Sequence, residues 1–250
     1  MSSRIVVLGA GAACVSPTTD NTYLVFDDGN APVLIDCAGS PAHKLFQAGI
    51  DPVELAGVLL THAHPDHVYG LPALVQHLAQ VGYAGTLPLY GLDSTLDIAR
   101  RLLAILDVDK GFVDYRPFPA QEGQPVVGTE GYVLYTSPTR HGKASVGLRI
   151  EAGDSVLVYS GDTEPCPSLD RLADGADILL HECTVDQPAK GHSTPEQAAQ
   201  TAATAGAGRL VLVHYYPWLQ ERFIEIQTRI AKIYGGPVIL ARQGDEYAWG

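Results

Sequence analysis

The stretch Thr61-His62-Ala63-His64-Pro65-Asp66-His67 places three histidines and an aspartate within six positions, directly after the apolar run Val58-Leu59-Leu60. Imidazole nitrogens and carboxylate oxygens are the donors that zinc and related divalent ions take. A strand ending in a loop can aim several of them at one point. A complete site needs further donors, and the chain offers them at His141, at Asp162 in Ser160-Gly161-Asp162-Thr163, at His181-Glu182, at His192 in Gly191-His192-Ser193-Thr194, and at His214. Any one of these alone is more often structural. Their recurrence at strand ends, added to the His-rich loop, points to a metal site.

The elements that must position these residues are legible from periodicity and turn chemistry. Ile5 to Leu8 predicts a buried strand, ended by Gly9-Ala10-Gly11. A nucleotide-binding glycine loop is the alternative there, but neither a third glycine nor a long helix follows. Thr22 to Phe26 and Val33 to Ile35 predict two more strands, with Asp36 at the end of the second as a candidate partner for a ligand histidine. A helix opens at Ser40-Pro41 and closes at Gly49; His43 within it reads as a surface residue. Gly57 to Leu60 is the strand that enters the His-rich loop. Leu71 to Gln80 has helical spacing and carries His77 on one face. Thr86 to Tyr90 and Phe112 to Arg116 read as strands around a helix from Ser94 to Leu106. Strands then follow at Tyr132 to Thr136, Ser145 to Ile150 and Val156 to Ser160, the last two joined at Gly153-Asp154. The remainder alternates: strands Ile178 to Leu180, Leu210 to Val213 and Val238 to Leu240, with helices Thr194 to Thr204 and Trp218 to Tyr234. Thr194-Pro195-Glu196-Gln197 is a capping box. No linker-like run divides the chain, so residues 1–250 are expected to form one α/β domain.

Composition bounds the function. Lys+Arg 16 against Asp+Glu 28 gives a formal charge of -12, a balance that weighs against extended nucleic-acid binding. Cys14, Cys37, Cys166 and Cys183 are far apart and include no Cys-x-x-Cys pair, so they read as reduced thiols. The run Ile5 to Val15 after Arg4 is a glycine-containing strand rather than a signal segment. No run approaches the ~18 apolar residues of a membrane span. A cytoplasmic protein without membrane contact is the expectation.

His62-x-His64-x-Asp66-His67, followed by His141, Ser160-Gly161-Asp162-Thr163 and His214, resembles the metallo-β-lactamase fold superfamily. His181-Glu182-Cys183-Thr184 and Gly191-His192-Ser193-Thr194 resemble its ribonuclease Z-like branch, and the opening Leu8-Gly9-x-Gly11 and Ile35-Asp36-Cys37 fit as well. The resemblance implies a four-layer αβ/βα sandwich with two divalent metals per chain, Zn2+ first and Mn2+ or Fe as alternatives. It implies that His62, His64 and His141 hold one ion, that Asp66, His67 and His214 hold the other, and that Asp162 bridges them. A water between two such ions loses its proton near neutral pH, and Asp66 would orient it. His192 and Glu182 would be the acid pair: the carboxylate holds the imidazole, and the imidazolium protonates the leaving oxygen. The helix start after His192 would also suit an anion. The branch favours a homodimer.

The substrate is where the chain departs from that branch. Ribonuclease Z carries a long tRNA-gripping arm between the positions matching His141 and Asp162, and here these are only 21 positions apart. The early loop Ser16-Pro17-Thr18-Thr19-Asp20-Asn21 has no Lys or Arg, and the last motif reads His214-Tyr215-Tyr216-Pro217-Trp218. A phosphodiesterase acting on a small phosphodiester is therefore the first expectation, with nucleic acid disfavoured. Ribonuclease Z-type tRNA 3′ processing, an arylsulfatase or lactonase, and a non-catalytic metal-binding sensor are the alternatives. Tyr215, Tyr216 and Trp218 are candidate pocket walls, and Arg140 and Lys143 candidate anion contacts.

Overall fold

Along the first strand Ile5 and Val7 alternate with Val6 and Leu8, and all four are buried. Successive side chains of a strand point to opposite faces, so this stretch must be covered on both sides. The computed structural model, which describes residues 3–119 and 123–249, shows how; positions 1–2, 120–122 and 250 of the expected domain lie outside it. The chain begins with β1 (Ser3–Gly9), β2 (Tyr23–Asp27), β3 (Val33–Ile35) and α1 (Pro41–Gln47). Next come β4 (Gly57–Leu59), the short α2 (Pro65–Val68), α3 (Leu71–Val81), β5 (Leu87–Gly91), α4 (Asp93–Ile105) and β6 (Val113–Pro117). The second half starts with β7 (Pro125–Gly128), β8 (Val133–Pro138), β9 (Val146–Ala152), β10 (Ser155–Tyr159) and α5 (Pro167–Leu172). It ends with β11 (Ile178–Glu182), α6 (Pro195–Ala205), β12 (Leu210–Val213), α7 (Pro217–Ile230), β13 (Val238–Leu240) and β14 (Glu246–Trp249).

Two seven-stranded sheets result, in the orders β14-β1-β2-β3-β4-β5-β6 and β13-β12-β11-β10-β9-β8-β7. Ile5, Val7, Leu24, Phe26, Ile35 and Leu59 of the first sheet face Leu134, Leu148, Ile150 and Leu157 of the second in one core. Val6, Leu8, Val25, Leu34 and Val58 turn the other way and pack on Leu45 of α1, Leu74 and Leu78 of α3, and Leu96 and Leu103 of α4. Helices α5, α6 and α7 cover the second sheet through Leu169, Ala198, Ala202, Leu219 and Ile226. The order helix, sheet, sheet, helix is the four-layer sandwich that the resemblance implied. Among the described residues no helix is long and apolar enough to cross a membrane.

Both sheets are mixed, and the parallel strands carry the functional loops. β3, β4, β5 and β6 pair in parallel, as do β10, β11, β12 and β13. Parallel neighbours end at the same edge, so the segments after β3, β4, β10, β11 and β12 converge there. A backbone bond from Val146 N to Thr61 O (3.2 Å) ties the two sheets at that edge.

The predicted elements are present, with differences at short ones. Proline at the start and glycine at the end of β7 hide it, because neither residue suits a strand interior. α2 spans four residues inside the ligand loop, too few for a period to be read. β14 alternates exposed and buried positions, but only over four residues. The last helix ends at Ile230 rather than Tyr234; bonds of i−3 type from Lys232 N and Ile233 N tighten the chain there.

Phe26 is fully buried where the sheets meet, its ring edge-on to Tyr132 with centroids 4.6 Å apart. Phe26→Ala is expected to lower the unfolding free energy by about 3–5 kcal/mol. Urea denaturation beside Phe26→Leu, which should cost clearly less, checks this.

Candidate metal centre

The converging loops bring all seven expected ligands together. β4 leads through Thr61 to His62, and α2 follows with Asp66 and His67 one turn apart from His64 at its N-cap. His62 and His67 are wholly buried. The loop after β8 supplies His141, β10 leads to Asp162, and β12 ends at His214. His62 Nε2 and His141 Nε2 lie 3.0 and 2.9 Å from His64 Nδ1, and 3.7 and 3.8 Å from Asp162 Oδ2. On the other side His67 Nε2 is 3.6 Å from both Asp66 Oδ2 and Asp162 Oδ2. His214 Nε2 is 3.5 Å from Asp66 Oδ2 and 3.4 Å from Asp162 Oδ1. Donors bonded at ~2.0–2.1 Å to one tetrahedral ion sit about 3.4 Å apart, so these spacings suit two ions that share Asp162.

A second observation agrees with the donor chemistry. His67 Nε2, His214 Nε2 and Asp162 Oδ1 are buried, face the cluster, and have no hydrogen-bond partner. A buried polar atom left unpaired costs ~1–3 kcal/mol. Divalent cations between the two halves would satisfy all three atoms.

Two buried carboxylate–threonine pairs aim the rings. Asp36, just after β3, accepts from Thr61 N (2.8 Å) and from Thr61 Oγ1 (3.0 and 2.9 Å), and His67 Nδ1 donates to it at 2.7 Å. With its hydrogen spent on Asp36, Thr61 Oγ1 can accept from His62 Nδ1 at 3.1 Å. Glu182, at the end of β11, accepts from Thr184 N (3.0 Å), Thr184 Oγ1 (2.6 Å), Thr163 N (2.9 Å) and His192 Nδ1 (2.9 Å). Thr184 Oγ1 in turn stands 2.8 Å from His214 Nδ1. His141 Nδ1 donates to the Gly191 carbonyl at 2.6 Å. For His62, His67, His141 and His214 the proton on Nδ1 leaves the Nε2 lone pair for the cluster. Asp36 and His214 both hold left-handed backbone, at φ 60° and 52°. Such conformations are uncommon for residues other than glycine and concentrate at functional sites.

The charge states follow from burial and neighbours. Burial holds His62 well below its ordinary pKa, with His67 adding to the effect, and burial likewise lowers His64. Both therefore stay neutral, the form that binds a metal. Burial opposes ionisation of Asp162, but His214, His67 and His62 outweigh it and hold the carboxyl well below the usual range. Asp66 behaves in the same way, with His214 and His67 outweighing burial. For His67, burial opposes the charged form, yet Asp162 and Asp36 prevail and raise the pKa well above normal. His192 is raised as well: burial resists, and the bond to Glu182 with its charge prevails.

The cluster opens into a cleft of about 290 Å³ lined by Ala13, His64, Pro65, Asp66, Asp162, Thr184, His192, His214 and Tyr216. Of the three aromatic candidates only Tyr216 is among these walls. Tyr215 is fully buried, its hydroxyl donating to Ala241 O at 2.6 Å, and Trp218 packs against the core. Arg140 pairs with Glu164 at 3.6 Å rather than facing the cleft, while Lys143 is exposed beside His141. The start of α6 offers an anion less than expected, since the capping box already satisfies Thr194 N and Gln197 N. His181 is buried but lies apart from the cluster; its Nδ1 donates to Glu182 O at 2.7 Å. His43 is exposed, and His77 rests edge-on against Phe46. Thr61, Thr184 and the Gly191 carbonyl escape a sequence reading. A threonine beside a motif carries no sign that its hydroxyl will bridge, and a carbonyl is common to every residue.

Comparison with known proteins is consistent with this geometry. Residues 32–215 match the profile of the β-lactamase superfamily domain. The chain is 30% identical over 241 residues to the ribonuclease Z of Mycobacterium bovis, with 86% of each covered. The crystal structure of the metallo-β-lactamase fold protein YhfI from Bacillus subtilis superposes with a TM-score of 0.86, at 25% identity and complete coverage of both chains. A diphosphatase of the PhnP family shares the fold at a TM-score of 0.76, with 18% identity, over 100% of this chain and 98% of that one.

Asp36 alone takes three hydrogen bonds that orient His67 and Thr61. Asp36→Ala is expected to weaken binding of a divalent ion about 10- to 100-fold. Competition of the loaded protein with a chromophoric chelator measures it.

Proposed function

This chain belongs to the metallo-β-lactamase fold superfamily, and on that premise we propose that it is a metal-dependent hydrolase that cleaves phosphodiesters in the manner of a ribonuclease Z. The observation that carries the reading is the His192–Glu182 pair, 2.9 Å apart, set beside Asp66 and Asp162 in one cleft. An alkoxide leaving group has a high pKa, so a proton donor placed for it contributes roughly 10²–10⁴-fold. Esters with good leaving groups gain little from such a pair. This speaks against thioesters, whose thiolate leaves without a proton. A sensor that only binds metal has no use for the pair at all.

We assign His62, His64 and His141 to one divalent ion, Asp66, His67 and His214 to a second, and Asp162 to both. Zn2+ is the first choice, since imidazole and carboxylate donors at near-tetrahedral spacing suit it. The pair, when bound, supplies Lewis acidity and activates water near neutral pH. The chain's own groups do the rest. Asp66, with His214 at 3.5 Å, orients the attacking water. His192 Nε2 gives its proton to the leaving oxygen, and the buried Glu182 carboxylate stabilises the imidazolium before transfer. Tyr216, Ala13 and Pro65 form an apolar wall for the group attached to the phosphate.

The relatives favour RNA as the substrate over the small phosphodiester expected from the sequence. Two observations keep the small diester as the second reading. Between His141 and Asp162 the chain forms only the β9–β10 hairpin, with no arm. Among the residues that line the cleft, none is Lys or Arg. We extend the proposal to a cytoplasmic homodimer, in keeping with free thiols at all four cysteines.

Metal-loaded protein should cut a precursor tRNA once, next to the acceptor stem, and Asp66→Ala should abolish this with the fold intact. Turnover of small diesters such as bis(4-nitrophenyl) phosphate without any cut in the RNA would select the second reading. Failure on both would sink the phosphodiester assignment.

The pH profile tests the acid pair. His192 must be protonated to act, so the rate falls as pH rises through its pKa. Glu182 raises that pKa, and Glu182→Gln is therefore expected to move the alkaline limb to lower pH. His192→Ala should remove the limb.

A further inference from the structure

We infer that Thr184 is a positioning residue whose hydroxyl ties the proton donor to the metal cluster, so that both are oriented by one group; the inference rests on His192 being the acid. Thr184 is almost wholly buried, lies two residues beyond Glu182, and is neither a ligand nor a member of the acid pair. Its Oγ1 donates to Glu182 Oε2 at 2.6 Å, and its backbone N–H donates to the same oxygen at 3.0 Å. That leaves the Oγ1 lone pairs for the Nδ1–H of His214, 2.8 Å away, whose Nε2 faces Asp66 and Asp162. The other carboxylate oxygen, Glu182 Oε1, holds His192 Nδ1 and Thr163 N. A continuous series of hydrogen bonds therefore runs from His214 through Thr184 and Glu182 to His192, with His214 Nε2 3.4 Å from Asp162 at its far end.

Each member depends on the next for a reason of valence. A hydroxyl has one hydrogen, and the Glu182 carboxylate at 2.6 Å is a stronger acceptor than the His214 carbonyl at 3.0 Å, so the hydrogen goes to Glu182 and a lone pair is left for His214 Nδ1. Once His214 keeps its proton on Nδ1, its Nε2 is the free donor atom. Without the hydroxyl, Glu182 loses one of the bonds that fix its rotamer, and His214 loses the group that fixes its tautomer. The proton donor and the ligand set then loosen together. A second tie supports this arrangement. Gly191, whose carbonyl holds His141, directly precedes His192 in the chain, so the main chain that carries the acid also braces His141.

Thr184→Val keeps the shape and removes the hydroxyl; Thr184→Ser keeps the hydroxyl; Thr184→Ala removes it without bulk and serves if the valine variant does not fold. Rates are measured on matched phosphodiesters that differ only in the leaving atom, an alkoxide oxygen or a thiolate sulfur that needs no proton. Thr184→Val is expected to lose about 10²-fold on the oxygen substrate and far less on the sulfur one. Its affinity for a divalent ion, read by chelator competition, should fall about 10- to 100-fold. Thr184→Ser should restore both. Equal losses on the two substrates with unchanged ion affinity, or a serine variant as impaired as valine, would overturn the inference. His192→Ala, run in parallel, separates the two levels. If it distinguishes the leaving atoms and Thr184→Val does not, the inference alone fails. If His192→Ala does not distinguish them, the acid assignment falls and the coupling falls with it. Should the wild-type protein cleave no phosphodiester, the proposed function fails, and unchanged ion affinity in Thr184→Val would then reject the role of Thr184 separately.

Discussion

The structure depends on two carboxylates placed out of water at the same edge of two sheets. Asp36 and Glu182 are both fully buried, and among the described residues each has an imidazole rather than a Lys or Arg as its charged partner. A bare carboxylate in such a place would cost several kcal/mol. What makes each tolerable is a set of donors: a backbone N–H and hydroxyl from one threonine, and a histidine ring. Because those donors must be present for the carboxylate to stay buried, the rings cannot turn away. The requirement to satisfy a buried charge becomes the means of aiming imidazoles.

The two units match in chemistry across the sandwich. On the first sheet Asp36 and Thr61 serve His67 and His62; on the second Glu182 and Thr184 serve His192 and His214. Each unit stands where parallel strands end. Asp36 N bonds to Leu59 O (2.7 Å), and Cys183 N bonds to Val213 O (3.1 Å), so the ladder itself sets the position of the next residues. The left-handed backbone at Asp36 and His214 then turns each side chain back toward the cleft. The difference between the units is in what they hold. The first orients only side chains of the cluster, while the second also holds His192.

Substrate selection lies outside both units. The cleft is small, and its one apolar wall is formed by Ala13, Pro65 and Tyr216. No Lys or Arg is among the residues lining the cleft, and Arg140 is engaged with Glu164, so the cleft walls offer an anion no flanking cation. This agrees with a chain whose net charge is strongly negative. Recognition of an RNA would rest on surfaces away from the short β9–β10 hairpin.

The sequence by itself determined the candidate donors, because donor atoms come with residue type and a motif such as His62-x-His64-x-Asp66-His67 is a local matter. It also determined most of the sandwich, since two buried faces leave a continuous apolar run along β1 and a single buried face leaves a helical period along α3. Short elements such as α2 and β14 lie below the length at which a period can be read. The sequence marked Asp36 as a candidate partner for a histidine and the resemblance paired Glu182 with His192, but only the tertiary structure decided which ring Asp36 meets and brought in Thr61 and Thr184. Asp36 meets Thr61 and His67, and Thr184 meets His214, across gaps of 25 to 31 residues, and no local pattern records a contact made by strands from different parts of the chain. The same holds for the aromatic triplet. Tyr215, Tyr216 and Trp218 are near neighbours in sequence, yet the turn from β12 into α7 sends Tyr215 into the core, Tyr216 to the cleft and Trp218, half-buried, against the edge of the core.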